Sequence, residues 1–321
     1  MITVAQAHET EKKVMREVYC ETLQRMAEED GRVVVVEADL AAPIGTVPFS
    51  RQFPERFFDC GVQESNMVGV GAGLSAAGMV PFAHTFAAFA ARRCMDQVFV
   101  SASYARLNLK LVGSDPGVTA LYNGGTHMGL EDMGAFLGIP DITLVEPVDT
   151  AMLEDVLRTA KDTYGVFYIR MNRKNAVKIY EQGSHFEIGK GVTLREGRDV
   201  TLISSGILVA ESLKAADILS AQGVSARVVN LFTWKPLDEE LIERCARETG
   251  AIVTAENHQL ANGLGKSVAG VVCAAHPVPM GFIGVHDHFG EVGDLPYLLE
   301  RFALRAEDIA AAALETIARK P

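Results

Sequence analysis

Two kinds of apolar stretch alternate along the chain. VVVVEADL, MVPFAHTF, NLKLVG, ITLVEP and VFYIRM are short and almost continuous, whereas residues 11–29 and TAMLEDVLRTAKD carry apolar residues at helical spacing. Continuous runs of strand length suit strands buried on both faces, and the amphipathic stretches between them supply the helices that cover those faces. The pattern predicts a helix over 11–29, a strand VVVVEADL, a helix from Glu64 to about Gly78, a strand MVPFAHTF and a helix running to Leu107. After these come NLKLVG, the helix LEDMGAFLG, ITLVEP, TAMLEDVLRTAKD and VFYIRM. This alternation defines an α/β fold, a mostly parallel sheet flanked by helices. The polar, glycine-bearing NRKNAVKIYEQGSHFEIGKG marks a boundary within 172–191. A second, smaller α/β unit follows, from VTLISSG through LVAESLKAADILSAQG, ARVVNL, LDEELIERCARETG, AIVTAEN and LGKSVAGVVCAA to GFIGV. The expected domains are 1–185 and 186–321.

Composition narrows the partners. With 321 residues and 48% hydrophobic content the chain can bury two cores. A net charge of -11 argues against a nucleic-acid phosphate backbone and against an anionic membrane surface. Cys20, Cys60, Cys94, Cys245 and Cys273 have no CxxC spacing, so neither a zinc site nor a disulfide framework is readable. With an N-terminus that lacks a signal-peptide core, a reducing cytoplasm is the expected location. Met67 to Ala91 is apolar enough to pass for a membrane span, but four glycines, Pro81 and His84 interrupt it, and helix, strand and helix satisfy its backbone better.

Glu64 is the chemical oddity. It is a lone carboxylate in FFDCGVQESNMVGVGAGLSAAG, placed between a strand end and a helix start. On position alone it caps the helix, where free N–H groups and the dipole stabilise an anion. Downstream, HTFAAFAARR sets Phe86 and Phe89 three apart on one helical face, and NGGTHMG puts His127 in a loop whose glycines allow close approach to a ligand. HDHFGE (His286 to Glu291) could hold a metal by composition but reads as a polar surface loop. NGLGK lacks phosphate-loop spacing and reads as a turn entering a helix, and His258 reads as structural or interfacial.

GVQESNMVGVGAGLSAAGMVPFAHTFAAFAAR and YNGGTHMGLEDMGAFLGIPDITLVEPVD together resemble the pyrimidine-binding half of transketolases, most closely the split forms encoded as two chains. TLISSGILVAESLKAADILSAQGVSARVVNLFTWKPLD resembles the family's C-terminal domain, so the resemblance covers nearly the whole chain. It implies thiamine diphosphate as cofactor and two-carbon ketol transfer from a ketose to an aldose. Glu64 then matches the glutamate that holds a proton at the aminopyrimidine, Phe89 the ring stacked on it, Phe86 a second aromatic beside it, and Asp39 an aspartate near the cofactor. His127 matches the histidine facing the reacting centre. Arg16 and Arg170 match positions that bind sugar phosphate, Arg170 being favoured.

Three positions depart from the pattern. Arg92 stands for a cofactor-side tyrosine, Asp115 for a phosphate-binding histidine, and Asn123 for an aspartate that holds an acceptor hydroxyl. This leaves open whether the sugar is phosphorylated. No GDG diphosphate motif is found, so the resemblance implies an N-terminal transketolase subunit as partner. That subunit would hold the diphosphate end and Mg2+ or Ca2+ in an α2β2 assembly. The β chain of a 2-oxo acid dehydrogenase E1, a 1-deoxyxylulose 5-phosphate synthase-like enzyme, and a non-catalytic assembly or regulatory subunit share this architecture.

Overall fold

A computed structural model describes residues 1–321. The chain forms two compact units, the first made of Met1–Pro116 and His127–Phe186, the second of Gly117–Thr126 and Glu187–Pro321. The ten residues 117–126 thus belong with the second unit although they lie inside the expected first domain.

The first unit runs α1 (Met15–Glu29), β1 (Val33–Glu37), α2 (Ala41–Ile44), α3 (Val47–Gln52), β2 (Phe57–Asp59), α4 (Glu64–Ala76), β3 (Val80–Phe86) and α5 (Ala87–Gln97). It continues with β4 (Lys110–Ser114), α6 (Asp132–Leu137), β5 (Ile142–Val145), α7 (Thr150–Asp162) and β6 (Val166–Met171). Its six strands pair in the order β5-β6-β4-β3-β1-β2, every pair parallel. All residues of β1, β3, β4 and β6 are buried, as their nearly continuous apolar runs predict, and Glu37, His84, Lys110 and Arg170 are buried with them. Gly71 of α4 packs close to Leu109, whose Cδ1 would lie 2.8 Å from a Cβ there and would have to shift to admit one.

Two local expectations are corrected. Phe86 is not helical: it closes β3 and caps α5 with an extended backbone at φ -68°, ψ 146°. The helix expected to reach Leu107 ends at Gln97 and gives way to a π-helical stretch, Val98–Tyr104. The polar stretch after β6 is also less loose than its composition suggests. Buried Asp149, which caps α7 through Met152 N–H, accepts N–H bonds from Ile179 and Tyr180 at 2.8 and 2.7 Å.

The second unit contains β7 (Val192–Arg195), β8 (Val200–Ser204), α8 (Leu208–Ala221), β9 (Ala226–Asn230), β10 (Thr233–Lys235), α9 (Glu239–Thr249), β11 (Ile252–Gln259), α10 (Leu264–Ala275) and β12 (Met280–Val285). Two helices not read from the pattern, α11 (Leu295–Arg301) and α12 (Ala306–Ile317), complete it. Its five-stranded sheet has the order β12-β11-β8-β9-β7, with β7 antiparallel at one edge. NGLGK is a turn into α10, and fully buried Glu256 accepts the Leu264 and Gly265 N–H groups there at 2.7 and 2.9 Å. No helix of the chain is long and apolar enough to cross a membrane.

Candidate active site

In open parallel sheets, ligands gather beyond the carboxyl ends of the strands. In the first unit the loops and helix starts at that edge carry most of the candidate residues. At the end of β2, Asp59 Oδ1 accepts the N–H groups of Asp39 and Gly61, each at 2.9 Å, and shapes the approach to α4. Asp39 itself is exposed, held at φ 60°. Glu64 is the first residue of α4 and only 4% exposed. Its Oε1 accepts a 2.5 Å hydrogen bond from Arg93 Nη1.

A chain of contacts leads away from that carboxylate. The Arg93 guanidinium lies 3.9 Å from the Phe89 ring centroid. Phe89 and Phe86 each present a ring to His127, at 5.1 and 5.8 Å between centroids, and meet each other at 5.8 Å. On the far side of Phe86 sits a cation that the sequence motifs do not reveal, Arg173, 5.1 Å from the ring. Arg173 Nε donates to Asp115 Oδ2 at 2.6 Å, and its Nη1 reaches the Pro43 carbonyl, which Arg16 Nη1 also reaches at 3.0 Å. The structure therefore brings together Glu64, Phe89, His127, Phe86, Asp115 and Arg16, and adds Arg93 and Arg173.

Arg170, Arg92 and Asn123 fall differently, and Asp115, though part of the cluster, has an unexpected setting. Arg170 cannot be the anion-binding arginine: it is fully buried, with Nε on Asp132 at 2.9 Å, Nη1 on Glu146 at 2.6 Å and Nη2 on the Gly129 carbonyl at 3.2 Å. Tyr168 Oη completes that cluster with a 2.7 Å bond to Asp132. Asp115 is not an open loop carboxylate; it is 1% exposed and paired with Arg173, at a strained φ of 51°. Burial raises its proton affinity although the Arg173 cation pulls the other way. Arg92 is tied to the segment after His127, through Glu131 and through the Met128 carbonyl at 2.9 Å. That segment packs tightly on α5, since a Cβ on Gly129 would lie 2.8 Å from Ala88 N. Asn123 is exposed and lies in the stretch that belongs with the second unit.

Behind Phe86 the same edge holds a buried polar layer. His84 and Glu37 are register neighbours on β3 and β1. Burial and Arg173 push His84 well below the usual histidine range, while Glu37, bonded only by Thr46 at 2.6 Å, is pushed up to about 8 by burial.

The pieces suit an aromatic heterocycle that carries a ring nitrogen and an amino group. An enclosed carboxylate can hold a proton at the nitrogen, two phenyl rings can flank the plane, and a histidine stands beside them. Known proteins resemble this chain in sequence and fold. Residues 11–178 match the transketolase pyrimidine binding domain, and residues 189–309 match the transketolase C-terminal domain. The 6-deoxy-6-sulfo-D-fructose transketolase subunit SqwH of Clostridium sp. (strain MSTE9) is 48% identical over 97% of this chain and 96% of its own length. A protein of Methanocaldococcus jannaschii, described as a transketolase C-terminal section, is 37% identical over 96% of this chain and 98% of its own. Among solved structures, a split gene transketolase described as an inactive beta4 tetramer superposes with a TM-score of 0.88 at 37% identity, covering 98% of this chain and all of that one. The chain belongs to the transketolase family, whose members depend on thiamine diphosphate and transfer ketol units. It carries that family's pyrimidine-binding and C-terminal parts.

Proposed function

We propose that this chain is one subunit of a two-chain transketolase, holding the aminopyrimidine end of thiamine diphosphate. A partner subunit holds the diphosphate and its Mg2+ or Ca2+ in an α2β2 assembly. The observation that carries the proposal is the buried carboxyl of Glu64 at the start of α4, one contact away from the Phe89 ring that meets His127. When bound, thiamine diphosphate supplies the electron sink for breaking the carbon–carbon bond beside a ketose carbonyl. Glu64 holds a proton at the pyrimidine nitrogen, Phe89 and Phe86 flank the ring and exclude water, and His127 binds substrate oxygens and moves a proton between them. Arg16 and Arg173, which share the Pro43 carbonyl, bind the anionic end of the sugar.

Asp115 bears on which sugar this is. Its pairing with Arg173 offsets one positive charge of that pocket, which favours a terminal group of single charge over a phosphate ester carrying nearly two. SqwH, which by its name acts on a sulfonated ketose, offers one such group. The exposed apolar side chains Met95, near the end of α5, and Phe99, Val100 and Tyr104, beyond it, support burial against another chain.

The test is ketose cleavage by the chain alone and after reconstitution with its diphosphate-domain partner, with sulfonated and phosphorylated ketoses compared. Activity only in the reconstituted pair is expected. Decarboxylation of pyruvate in place of ketose cleavage would instead identify a 2-oxo acid dehydrogenase or synthase-like enzyme, and an inert pair that binds no cofactor would identify an assembly subunit.

A further inference from the structure

Arg93 makes three contacts that converge on the start of α4. Its Nη1 holds Glu64 Oε1 at 2.5 Å, its guanidinium lies 3.9 Å from the centroid of Phe89, and its carbonyl accepts the Ser65 hydroxyl at 2.6 Å. Phe89 and Arg93 are four residues apart on α5, so they share one helical face, and the ring acts as a platform under the cation. The pair is lopsided: the Glu64 side chain is 4% exposed, while that of Arg93 is 45% exposed. The cation reaches in from solvent to an acid that is enclosed.

An ordinary surface ion pair has two mobile partners and contributes about 0–1 kcal/mol. Here one partner is fixed at a helix start and the other is braced at both its carbonyl and its guanidinium. Arg93 engages only one carboxylate oxygen. We infer that Arg93 is the positioning residue for Glu64: by holding Oε1 it fixes the carboxyl rotamer and presents Oε2 to the ligand's ring nitrogen. Its neighbour Arg92 turns the other way and braces the segment that follows His127. Adjacent arginines on α5 thus serve separate polar groups of the site, and only Arg93 touches the acid. Proton transfer at a ring nitrogen is sensitive to orientation, where a misplacement of about 1 Å costs on the order of a hundredfold.

The inference rests on the proposal that Glu64 serves thiamine diphosphate, and the experiment separates the two. In the reconstituted pair, Arg93→Ala, Arg93→Lys and Glu64→Gln are compared by cofactor dissociation constant, by deuterium exchange at the cofactor's C2 carbon, and by kcat and KM for the ketose. Arg93→Ala is expected to slow C2 exchange at saturating cofactor by roughly tenfold, with ketose KM unchanged and circular dichroism intact. Millimolar guanidinium ion should restore part of the loss in Arg93→Ala and do nothing to the wild type. Arg93→Lys, which keeps the charge and loses the planar stack, should fall between. Combining Arg93→Ala with Glu64→Gln should cost little more than Glu64→Gln alone, because the two act through one carboxyl. Wild-type exchange in Arg93→Ala beside a dead Glu64→Gln would remove the positioning role and leave the cofactor proposal standing. Tighter cofactor binding and faster exchange in Arg93→Ala would overturn the inference by making Arg93 a competitor for the ligand. Wild-type exchange in Glu64→Gln would overturn the cofactor proposal itself.

Discussion

Arg170 and Arg93 each face buried carboxylates in the first unit, and the two pairings are finished in opposite ways. At Arg170 every edge of the guanidinium is used by Asp132, Glu146 and the Gly129 carbonyl, and none of the three charged side chains is more than 4% exposed. At Glu64 one oxygen is held by one arginine that is itself nearly half in solvent. The first arrangement is closed and can only hold the fold together, tying β6 to α6. The second is left open on one side, which is what a ligand needs. Glu37 makes a third case, a buried carboxyl with no arginine and a single hydroxyl partner.

Substitutions sharpen the contrast. Arg170→Met should be the most damaging, because it strands two buried carboxylates; a loss of about 3–5 kcal/mol in urea unfolding is expected, and a near-neutral result would mean the cluster is hydrated. Glu64→Gln should leave the urea midpoint in place yet cut C2 exchange and turnover in the reconstituted pair by on the order of a hundredfold. A shifted midpoint with normal exchange would reverse the assignment of open and closed sites.

Glu37 gives a pH signature. Its folded-state value is raised from 4.5 to about 8, so the folded form keeps a proton that the unfolded chain has released. Stability from this group is fully present below about pH 4.5 and is lost as pH rises towards 8, with a slope of at most about 1.4 kcal/mol per pH unit. Urea unfolding at pH 5 and pH 8 should show the fall in the wild type and a flatter response in Glu37→Gln; parallel curves would place Glu37 in contact with water. The smallest effect belongs to Asp115→Asn. Removing that charge beside Arg173 should improve kcat/KM for a phosphorylated ketose relative to a sulfonated one by several-fold, about 1 kcal/mol, and an unchanged ratio would exclude Asp115 from the sugar pocket.

Much of the fold is legible because its central strands announce themselves. VVVV and VFYI have no polar face to misassign, and helices such as α5 and α7 between them are amphipathic. Glu64, Phe89 and His127 are readable as candidates for the same reason that their motifs are local: Glu64 and Phe89 sit in the first turns of their helices and His127 in a glycine-marked loop. Arg170 and Arg173 are not separable this way. They are three residues apart in one polar-looking run, and the difference lies in where β6 stops. Arg170 is inside the strand, opposite Gly113 of β4, and meets acids 38 and 24 residues away, whereas Arg173 lies beyond the final strand residue Met171. The rule that ligands gather past strand ends would have chosen Arg173. Arg93 could not be found from spacing, because its partner is 29 residues upstream on another helix.

The ten residues Gly117–Thr126 change how the chain can be cut. They pack with the second unit while both their flanks belong to the first, so the polypeptide passes between the units at 116/117, 126/127 and 186/187. Val118 N–H is held by Asn257 Oδ1 at 2.9 Å, and Gly117, at φ 53°, has no room for a Cβ beside that same amide. The two halves are therefore not interchangeable cassettes. A chimera that exchanges everything after Phe186 with a relative also replaces the support of a stretch that it leaves untouched in sequence. Grafting should succeed only when residues 117–126 travel with the half that holds them.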